Sequence, residues 1–282
     1  MKLGFIDYFL DEWHANNYPE RIRALSGGEI TVAYAYAEID APHGMTTDAW
    51  CDAQGIRRCT GIEELVELSD GIVILSPDNC ERHEALAQLP LASGKPCYID
   101  KTFAPDKATA ERIFARAEQF GTPCWSASSL RFAEEYQGFD PADVHAVCAW
   151  GPGPASGGLG YVNYAVHVLE PVQLLMGCAP ERILAVSTPD VCYHLLLQYA
   201  DGRTAAVTGV AGDCPYTVNV LCGAGNRVAT AEKDFFQQFL AALVEFFRTG
   251  KAPVSHADTV AVMAAREAGA KALEAPGTWV TV

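Results

Sequence analysis

The first third of the chain alternates short apolar runs with amphipathic segments. Runs of strand length, rich in β-branched or aromatic residues, cover residues 2–6, 30–37, 71–76, 96–100 and 122–127. Apolar residues at helical spacing lie between these runs, at residues 17–25, 62–68, 81–92 and 106–120. Strands that alternate with helices are typical of a parallel sheet with crossover connections. The pattern therefore predicts a Rossmann-like, doubly wound parallel sheet in an N-terminal domain of residues 1–122.

The pattern changes after residue 122. Strand-like runs cover residues 144–150, 183–188, 193–200, 204–210 and 216–222. Helices are expected at residues 161–176, 235–250 and 256–274, and the phenylalanines of 235–250 recur on one face, as in a core helix. Strands that follow one another after short turns pair in antiparallel fashion. We therefore expect a C-terminal α/β domain of residues 123–282 with a largely antiparallel open sheet.

A glycine- and proline-rich run, GPGPASGGLG, occupies residues 151–160. It is too rich in both residues for regular structure, so it predicts a loop. Because loops carry many binding functions, this segment is either a plain connection or a lid over an active site.

Composition narrows the range of partners. The 282 residues include 20 lysines and arginines against 35 aspartates and glutamates, which gives a formal net charge of −15. A chain of this charge repels nucleic-acid backbones and anionic membranes, so we expect neither as a partner. Asp7 and Asp11 interrupt the apolar N-terminal run, and we expect no signal peptide.

The ten cysteines are scattered, and none forms a Cys-x-x-Cys pair. The spacing therefore lacks the signature of a zinc site or a thioredoxin-type redox pair. Cys97, Cys148, Cys192 and Cys222 fall in strand-like apolar runs. We interpret the cysteines as buried, reduced thiols of a cytoplasmic protein.

Candidate chemistry follows the predicted strands. Ligands of an open α/β sheet bind beyond the carboxyl ends of its strands, where Asp100 and Lys101 follow the fourth predicted strand. A lysine there can hold a substrate hydroxyl or pass a proton to it, although most lysines are surface residues. His167 follows the glycine-rich run on an apolar helix. Imidazole groups change protonation near neutral pH, but a single histidine on an apolar face is more often a core residue.

Three segments together resemble the glucose-fructose oxidoreductase and inositol dehydrogenase (Gfo/Idh/MocA) family. Asp100-Lys101-Thr102 stands in place of that family's Glu-Lys-Pro signature, and Arg131-Phe132 in place of its Arg-Phe pair. The run GGLGYVNYAVHVLEPVQLLMG is similar to the family's glycine-rich approach to an Asp-x-Gly-x-His helix. Asn163, Ala165 and His167 occupy the three matching positions. Residues 239–282 are similar to the family's closing helices, so the resemblance covers nearly the whole chain.

The resemblance implies a nicotinamide-dependent oxidoreductase, with NAD or NADP, that acts on a hydroxyl or ketone of a carbohydrate or polyol. It assigns Lys101 to polarising the hydroxyl and relaying its proton, and His167 to general acid–base catalysis. Asn163 takes the place of an aspartate and cannot accept a proton. Tyr164 and Arg131 are expected to bind the substrate in the same interdomain crevice. The apolar outward strands of the second domain predict a homo-oligomer.

The sequence departs from the family at the cofactor. The first strand of such a fold is normally followed by Gly-x-Gly-x-x-Gly, which lets the backbone approach a pyrophosphate. Here Asp7, Phe9 and Glu12 lie near the glycine positions. A carboxylate about 4 Å from a phosphate costs on the order of 1 kcal/mol per charge pair even in water, which disfavours the usual pose. The acid expected to hold the adenosine ribose falls near Tyr36, with Glu38 the nearest carboxylate. The candidate cofactor-binding residues are Asp7, Phe9, Tyr36, Ser76, Pro77 and Asp100.

Several interpretations of this N-terminal segment stay open. The cofactor binds in a displaced pose, or it is lost and the crevice performs non-redox chemistry, or Asp7, Asp11, Glu12 and His14 gather a cation. The segment lacks a recurrent metal-ligand spacing, and we predict no metal. In the purely structural alternative, Trp13 and Tyr18 pack inward and the acids are solvated helix-start residues.

The same alternatives extend to function. A lyase, hydratase or epimerase acting on a keto-sugar needs only an acid and a base, here Lys101 and His167, and no dinucleotide. A catalytically silent partner subunit is the remaining alternative.

Overall fold

The computed structural model describes residues 1–153, 160–186 and 191–282. These residues form two compact units. Unit 1 comprises Met1–Ala104, Ala108–Ser126 and Leu240–Ser255. Unit 2 comprises Pro105–Lys107, Ala127–Phe239 and His256–Val282. Most of the glycine-rich run predicted as a loop or lid lies outside the described residues.

Unit 1 is built on a parallel sheet. Its strands are β1 (Lys2–Asp7), β2 (Thr31–Ala37), β3 (Arg57–Arg58), β4 (Gly71–Ile74), β5 (Cys97–Ile99) and β6 (Cys124–Trp125). The strand order is β3-β2-β1-β4-β5-β6, and each neighbouring pair is parallel. This is the order of a doubly wound nucleotide-binding fold, as predicted. The two-residue strand β3 was not predicted, because it is too short to show a periodic pattern.

The helices of unit 1 differ from the prediction at three places, one of which is a helix over residues 47–54 that was not predicted. They are α1 (Trp13–Leu25), α2 (Thr47–Gln54), α3 (Ile62–Leu68), α4 (His83–Leu86), α5 (Gln88–Ala92) and α6 (Lys107–Gln119), the first residue of α6 belonging to unit 2. Helix α1 begins four residues earlier than expected, because the Glu12 side chain caps it. The helix predicted over residues 81–92 is broken, because Pro90 has no N–H to donate to the carbonyl of Leu86.

Unit 2 is built on a mixed, mostly antiparallel sheet. Its strands are β7 (Val144–Gly153), β8 (Arg182–Ala185), β9 (Val191–Gln198), β10 (Thr204–Ala211), β11 (Thr217–Cys222), β12 (Gly225–Thr230) and β13 (Trp279–Thr281). Their order is β12-β11-β7-β10-β9-β8-β13, and β7 pairs in parallel with β10. The other pairs are antiparallel, which confirms the predicted fold class.

Strand β7 includes the first three residues of the run predicted as a loop. Gly151 and Gly153 lie in this strand, at positions where neighbouring side chains leave little room for a Cβ atom. A Cβ atom at Gly151 would meet the ring of Tyr216, and one at Gly153 would meet the Cβ of Cys192 at 2.9 Å. Glycine in a strand interior often marks such a close approach.

Helices α7 (Gly160–Met176) and α9 (His256–Glu274) pack on one face of this sheet. Helix α8 (Phe235–Thr249) carries the predicted aromatic stripe, and Phe239, Phe246 and Phe247 are buried as expected of a core helix. Phe239 contacts Phe132 within unit 2, whereas Leu240–Ser255, which includes the rest of α8, belongs to unit 1.

All ten cysteines fall in the described ranges as free thiols. Cys97 and Cys222 are buried, but Cys148 is exposed and Cys192 is half-buried, so the expectation that all four are core residues was wrong. Alternate residues of these strands face away from the core, and both exceptions occupy outward positions. Within the described ranges, every helix is too short or too polar to span a membrane.

Candidate active site

The carboxyl edge of the unit 1 sheet gathers polar side chains. Asp7 closes β1, Ser76 follows β4 and Asp100 follows β5, and these three strands are neighbours. Asp7 is 1% exposed, and its Oδ1 accepts hydrogen bonds from Tyr8 N at 2.7 Å and from Ser76 Oγ at 3.2 Å. Ser76 has a φ of 75°, a conformation that is uncommon outside glycine. The fold therefore joins Asp7 and Ser76, two of the predicted cofactor residues.

Asp7 is a buried acid with a shifted pKa. Burial raises the pKa of Asp7 well above its usual value, and the nearby charge of Glu12 raises it further. Among the described residues, Asp7 Oδ2 has no hydrogen-bond partner. The environment thus favours the protonated acid.

Glu12 caps the first helix. Its carboxylate accepts hydrogen bonds from the backbone N–H groups of Ala15 and His14, the latter at 2.7 Å, and it also contacts His14 Nδ1 at 2.9 Å. Free N–H groups and the helix dipole make a helix N-terminus attractive to anions. In this chain, the anion at the N-terminus of α1 is the side chain of Glu12.

His14 lies between two carboxylates. Its Nε2 is 3.8 Å from Asp100 Oδ2, and Asp100 Oδ1 accepts a hydrogen bond from the Tyr98 hydroxyl at 2.9 Å. Burial lowers the pKa of His14, but the charges of Asp100 and Glu12 outweigh burial and raise it overall. The half-exposed Lys101 follows Asp100, and its charge opposes that rise.

The remaining predicted cofactor residues lie on the same unit. Phe9 is half-buried with its ring 6.1 Å from that of Tyr8, Tyr36 is half-buried in β2, and Pro77 is buried after β4. The carboxylate of Glu38, just beyond β2, accepts two hydrogen bonds from the guanidinium of Arg82, at 2.8 and 2.6 Å.

The acidic residues after β1 have identifiable partners in the structure. Asp11 accepts hydrogen bonds from Met45 N at 2.8 Å and Asn16 Nδ2 at 2.9 Å. It therefore links the loop between β2 and α2 to helix α1. Among the described residues, no group of three or more His, Cys, Asp or Glu side chains is arranged to hold a metal ion. Tyr18 is buried, but Trp13 is 50% exposed, so the inward packing of Trp13 was a wrong expectation.

In unit 2, a second group of candidate site residues surrounds His167, which lies on α7. Its Nδ1 is 2.7 Å from the hydroxyl of Ser128, a fully buried residue just beyond β6. The imidazole ring also lies edge-on to the rings of Tyr164, at 5.8 Å, and Tyr216, at 6.0 Å. These contacts fix the plane of the imidazole. Asn163, on the same helix, is 5% exposed, whereas Tyr164 is 42% exposed.

Buried ion pairs lie one helical turn further along α7. Glu170 is 2% exposed and accepts hydrogen bonds from Ser128 N at 3.3 Å and Arg131 Nη1 at 3.2 Å. Burial raises the pKa of Glu170, although the charge of Arg131 opposes the rise. Arg131 also donates to Asp258 at 3.0 Å. The guanidinium of Arg131 is therefore held by two carboxylates.

Sequence reasoning did not identify the capping role of Glu12, the imidazole contact of Ser128 or the ion pair of Glu170. The position of Ser128 after a strand end could have suggested a site residue, as it did for Asp100. Glu170 lies three residues after His167, a spacing that places both on one side of a helix.

Two features characterise this class of protein. One unit has a Rossmann-type sheet with ionisable side chains at its carboxyl edge. The other has a mixed open sheet and a helix that carries a histidine. No protein-family model and no curated protein matches the sequence.

Solved structures share this architecture. A probable dehydrogenase from Thermotoga maritima has a TM-score of 0.81 at 14% identity and covers 100% of this chain and 98% of its own. The scyllo-inositol dehydrogenase of Lactobacillus casei, with bound NAD(H) and scyllo-inositol, gives 0.77 at 15% identity, covering 99% and 98%. The WlbA dehydrogenase of Bordetella pertussis, in complex with NADH and UDP-GlcNAcA, gives 0.74 at 13% identity, covering 99% and 98%. Identities this low show a common fold, so function must be argued from the site.

The residues of unit 1 do not fit a dinucleotide in its usual pose. That pose places the pyrophosphate on the N-terminus of the first helix and the adenosine ribose at an acid beyond the second strand. At the first position, the N–H groups of His14 and Ala15 already donate to Glu12. At the second, Glu38 is paired with Arg82.

Proposed function

We propose that this chain is an oxidoreductase that acts on a hydroxyl or ketone carbon of a carbohydrate or polyol. Its hydride partner is NAD or NADP, held in a pose other than the usual one. The observation that carries the proposal is the Ser128-bound imidazole of His167 on α7, in a fold shared with solved dehydrogenases. An oriented histidine can take up the proton that leaves a hydroxyl when it is oxidised.

Proton handling is assigned to Lys101 and His167. The ammonium of Lys101 holds the substrate oxygen and stabilises negative charge on it, and His167 accepts its proton through Nε2. Ser128 holds Nδ1 at 2.7 Å and so sets which nitrogen is directed to the substrate. Asn163 can hydrogen-bond the substrate but cannot accept a proton.

Two further residues are assigned to the substrate site. Tyr164 contacts the substrate directly, and Arg131 acts on it indirectly. The half-exposed ring of Tyr164 is available for direct contact. Arg131 acts as a positioning residue, because its guanidinium holds Glu170 and Glu170 in turn accepts from the backbone of Ser128.

Turnover of a panel of cyclitols, polyols and keto-sugars with NAD or NADP, followed by nicotinamide absorbance, tests the proposal. We expect Lys101→Met and His167→Gln to lower kcat by about 100-fold or more, with unchanged thermal unfolding. Exposed residues supply matched controls, Lys251→Met and His145→Gln, which should keep full activity. Wild-type kcat in either site variant would refute the assignment.

A lyase, hydratase or epimerase is the second candidate, favoured by the carboxylate of Glu12 on the N-terminus of α1. Such chemistry moves protons between an acid and a base and needs no dinucleotide. Product formed from a 3-keto sugar without added nucleotide, and lost in the Lys101→Met variant, would support it. A rise in the melting temperature with NAD or NADP would instead favour the oxidoreductase.

We also propose that the chain forms a homo-oligomer through the open face of the unit 2 sheet. Neighbouring strands align Cys148, Ala206 and Leu196 across this face. Cys148 is exposed, Ala206 is half-exposed and Leu196 is 37% exposed. An apolar row of this kind suits self-association.

A further inference from the structure

Unit 1 carries its own carboxylate where a dinucleotide-binding fold receives a phosphate. We infer that Glu12 is an internal replacement for the pyrophosphate, and that Arg82 closes the ribose position by pairing with Glu38. The carboxyl edge of this sheet therefore takes a ligand that places no phosphate on α1. This inference concerns binding alone and holds whichever reaction the chain performs.

The backbone N–H donors at the start of α1 are already in use. A helix leaves its first N–H groups without partners inside the helix, and these groups are what a phosphate binds. In α1 the carboxylate of Glu12 accepts from the N–H groups of Ala15 and His14. The Glu12 side chain is 9% exposed and is also held by His14 Nδ1 at 2.9 Å. A phosphate at this position would have to displace a buried, charge-assisted hydrogen-bond set.

Negative charge around Glu12 also disfavours a phosphate. Asp7 closes the strand that leads to α1 and is 1% exposed, and burial together with the charge of Glu12 raises its pKa, so a second negative charge beside Glu12 is already disfavoured. A pyrophosphate would add further negative charge beside Glu12. Like charges a few ångströms apart repel strongly once water is excluded. His14, the histidine beside this position, is already engaged by Glu12 through Nδ1 at 2.9 Å, and its Nε2 lies 3.8 Å from Asp100 Oδ2.

The ribose position beyond β2 is occupied independently of α1. An acid beyond the second strand normally accepts hydrogen bonds from the ribose hydroxyls of the adenosine. Glu38 occupies that place, but both of its oxygens accept from Arg82, at 2.6 and 2.8 Å. The Arg82 guanidinium also lies 5.6 Å from the centre of the Tyr8 ring. The phosphate and ribose attachment points are thus filled by different residues of the same chain.

The test replaces Glu12 by serine in the full chain. Serine also caps helix N-termini, so α1 keeps a capping oxygen while the charge and bulk of the glutamate are removed. Glu20→Ser is the matched control, because Glu20 is an exposed acid on the same helix, away from its N-terminus. Isothermal titration calorimetry at low salt with inorganic pyrophosphate, and then with NAD, measures the affinity of each protein.

We expect Glu12→Ser to bind pyrophosphate at least about tenfold more tightly than the wild type, as the loss of one close negative charge predicts. The pyrophosphate affinity of Glu20→Ser should stay within about twofold of that of the wild type. Glu12→Ser should also bind NAD more tightly than the wild type and the control do. Equal pyrophosphate affinity in wild type and Glu12→Ser would overturn the inference, as would weaker NAD binding in Glu12→Ser or no measurable binding by either protein. Circular dichroism confirms that the variants are folded. None of these results depends on turnover, so they separate this inference from the proposed reaction.

Discussion

One buried carboxyl group lies at the carboxyl edge of the unit 1 sheet and another lies near His167 in unit 2. The two groups are stabilised differently. Glu170 is 2% exposed and has the guanidinium of Arg131 at 3.2 Å. Asp7 is 1% exposed and accepts hydrogen bonds from neutral donors, Tyr8 N and Ser76 Oγ. A buried carboxylate without a cation is costly, and protonation avoids that cost. The stability of the fold should therefore depend on pH through Asp7.

Asp7→Asn should remove this pH dependence. Because the folded-state pKa of Asp7 is raised above its unfolded value of about 3.9, the acid's contribution to stability is complete below that pH. The contribution is lost as pH rises through the folded pKa, by up to about 1.4 kcal/mol per pH unit. Relative to wild type, the asparagine variant should gain stability from about pH 4 upward.

Urea denaturation at a series of pH values measures the difference. Asp52→Asn, at an exposed position, is the control and should follow the wild-type curve. Parallel curves for wild type and Asp7→Asn would show that Asp7 is ionised at low pH in both states.

Among the helices and strands, α8 shows how a stripe of phenylalanines on one helix face is buried in a core. The ring of Phe246 is fully buried, 5.9 Å from that of Trp125 and 5.2 Å from that of Phe247. A Cβ atom on Gly71, in β4, would meet the ring of Phe247 at 2.8 Å, so the helix packs closely on the unit 1 sheet. The part of the helix from Leu240 to Thr249 therefore belongs to the core of unit 1.

Phe246→Ala should lower the free energy of unfolding by about 3–5 kcal/mol, because it leaves a cavity in that core. Phe120 is the matched control, since it is 43% exposed at the end of α6. Its change to alanine should cost less than about 1 kcal/mol. Chemical denaturation of both variants is the measurement, and similar losses would contradict the packing described for α8.

For the molecule as a whole, the open face of the unit 2 sheet is the surface proposed to join copies of the chain. Leu196→Glu places a charge in the middle of the row formed with Cys148 and Ala206. If that face joins copies of the chain, the charge should shift wild-type oligomers to monomers in sedimentation velocity experiments. Leu89→Glu, at a 40% exposed leucine of unit 1, should leave the distribution unchanged. A monomeric wild type at about 100 μM, or an unchanged Leu196→Glu distribution, would exclude this interface.

Elements with strong local periodicity could be predicted from the sequence. Strands β1, β2, β4 and β5 and helices α6 and α8 follow from apolar spacing, because side chains of one face must be buried together. The sequence also showed that the glycines of a dinucleotide site are missing after β1. It placed Asp7, Ser76 and Asp100 at one sheet edge, since parallel neighbours end on the same side.

The pairing of distant side chains could not be predicted from the sequence and is seen in the folded chain alone. Arg82 pairs with Glu38 across 44 positions of sequence, and Ser128 meets His167 across 39. The return of α8 to unit 1 is equally non-local. Such contacts depend on the register of strands and the packing of helices, which local patterns do not specify. Even the short-range capping of α1 by Glu12 required the backbone of the turn, because the same carboxylate could as well have faced water.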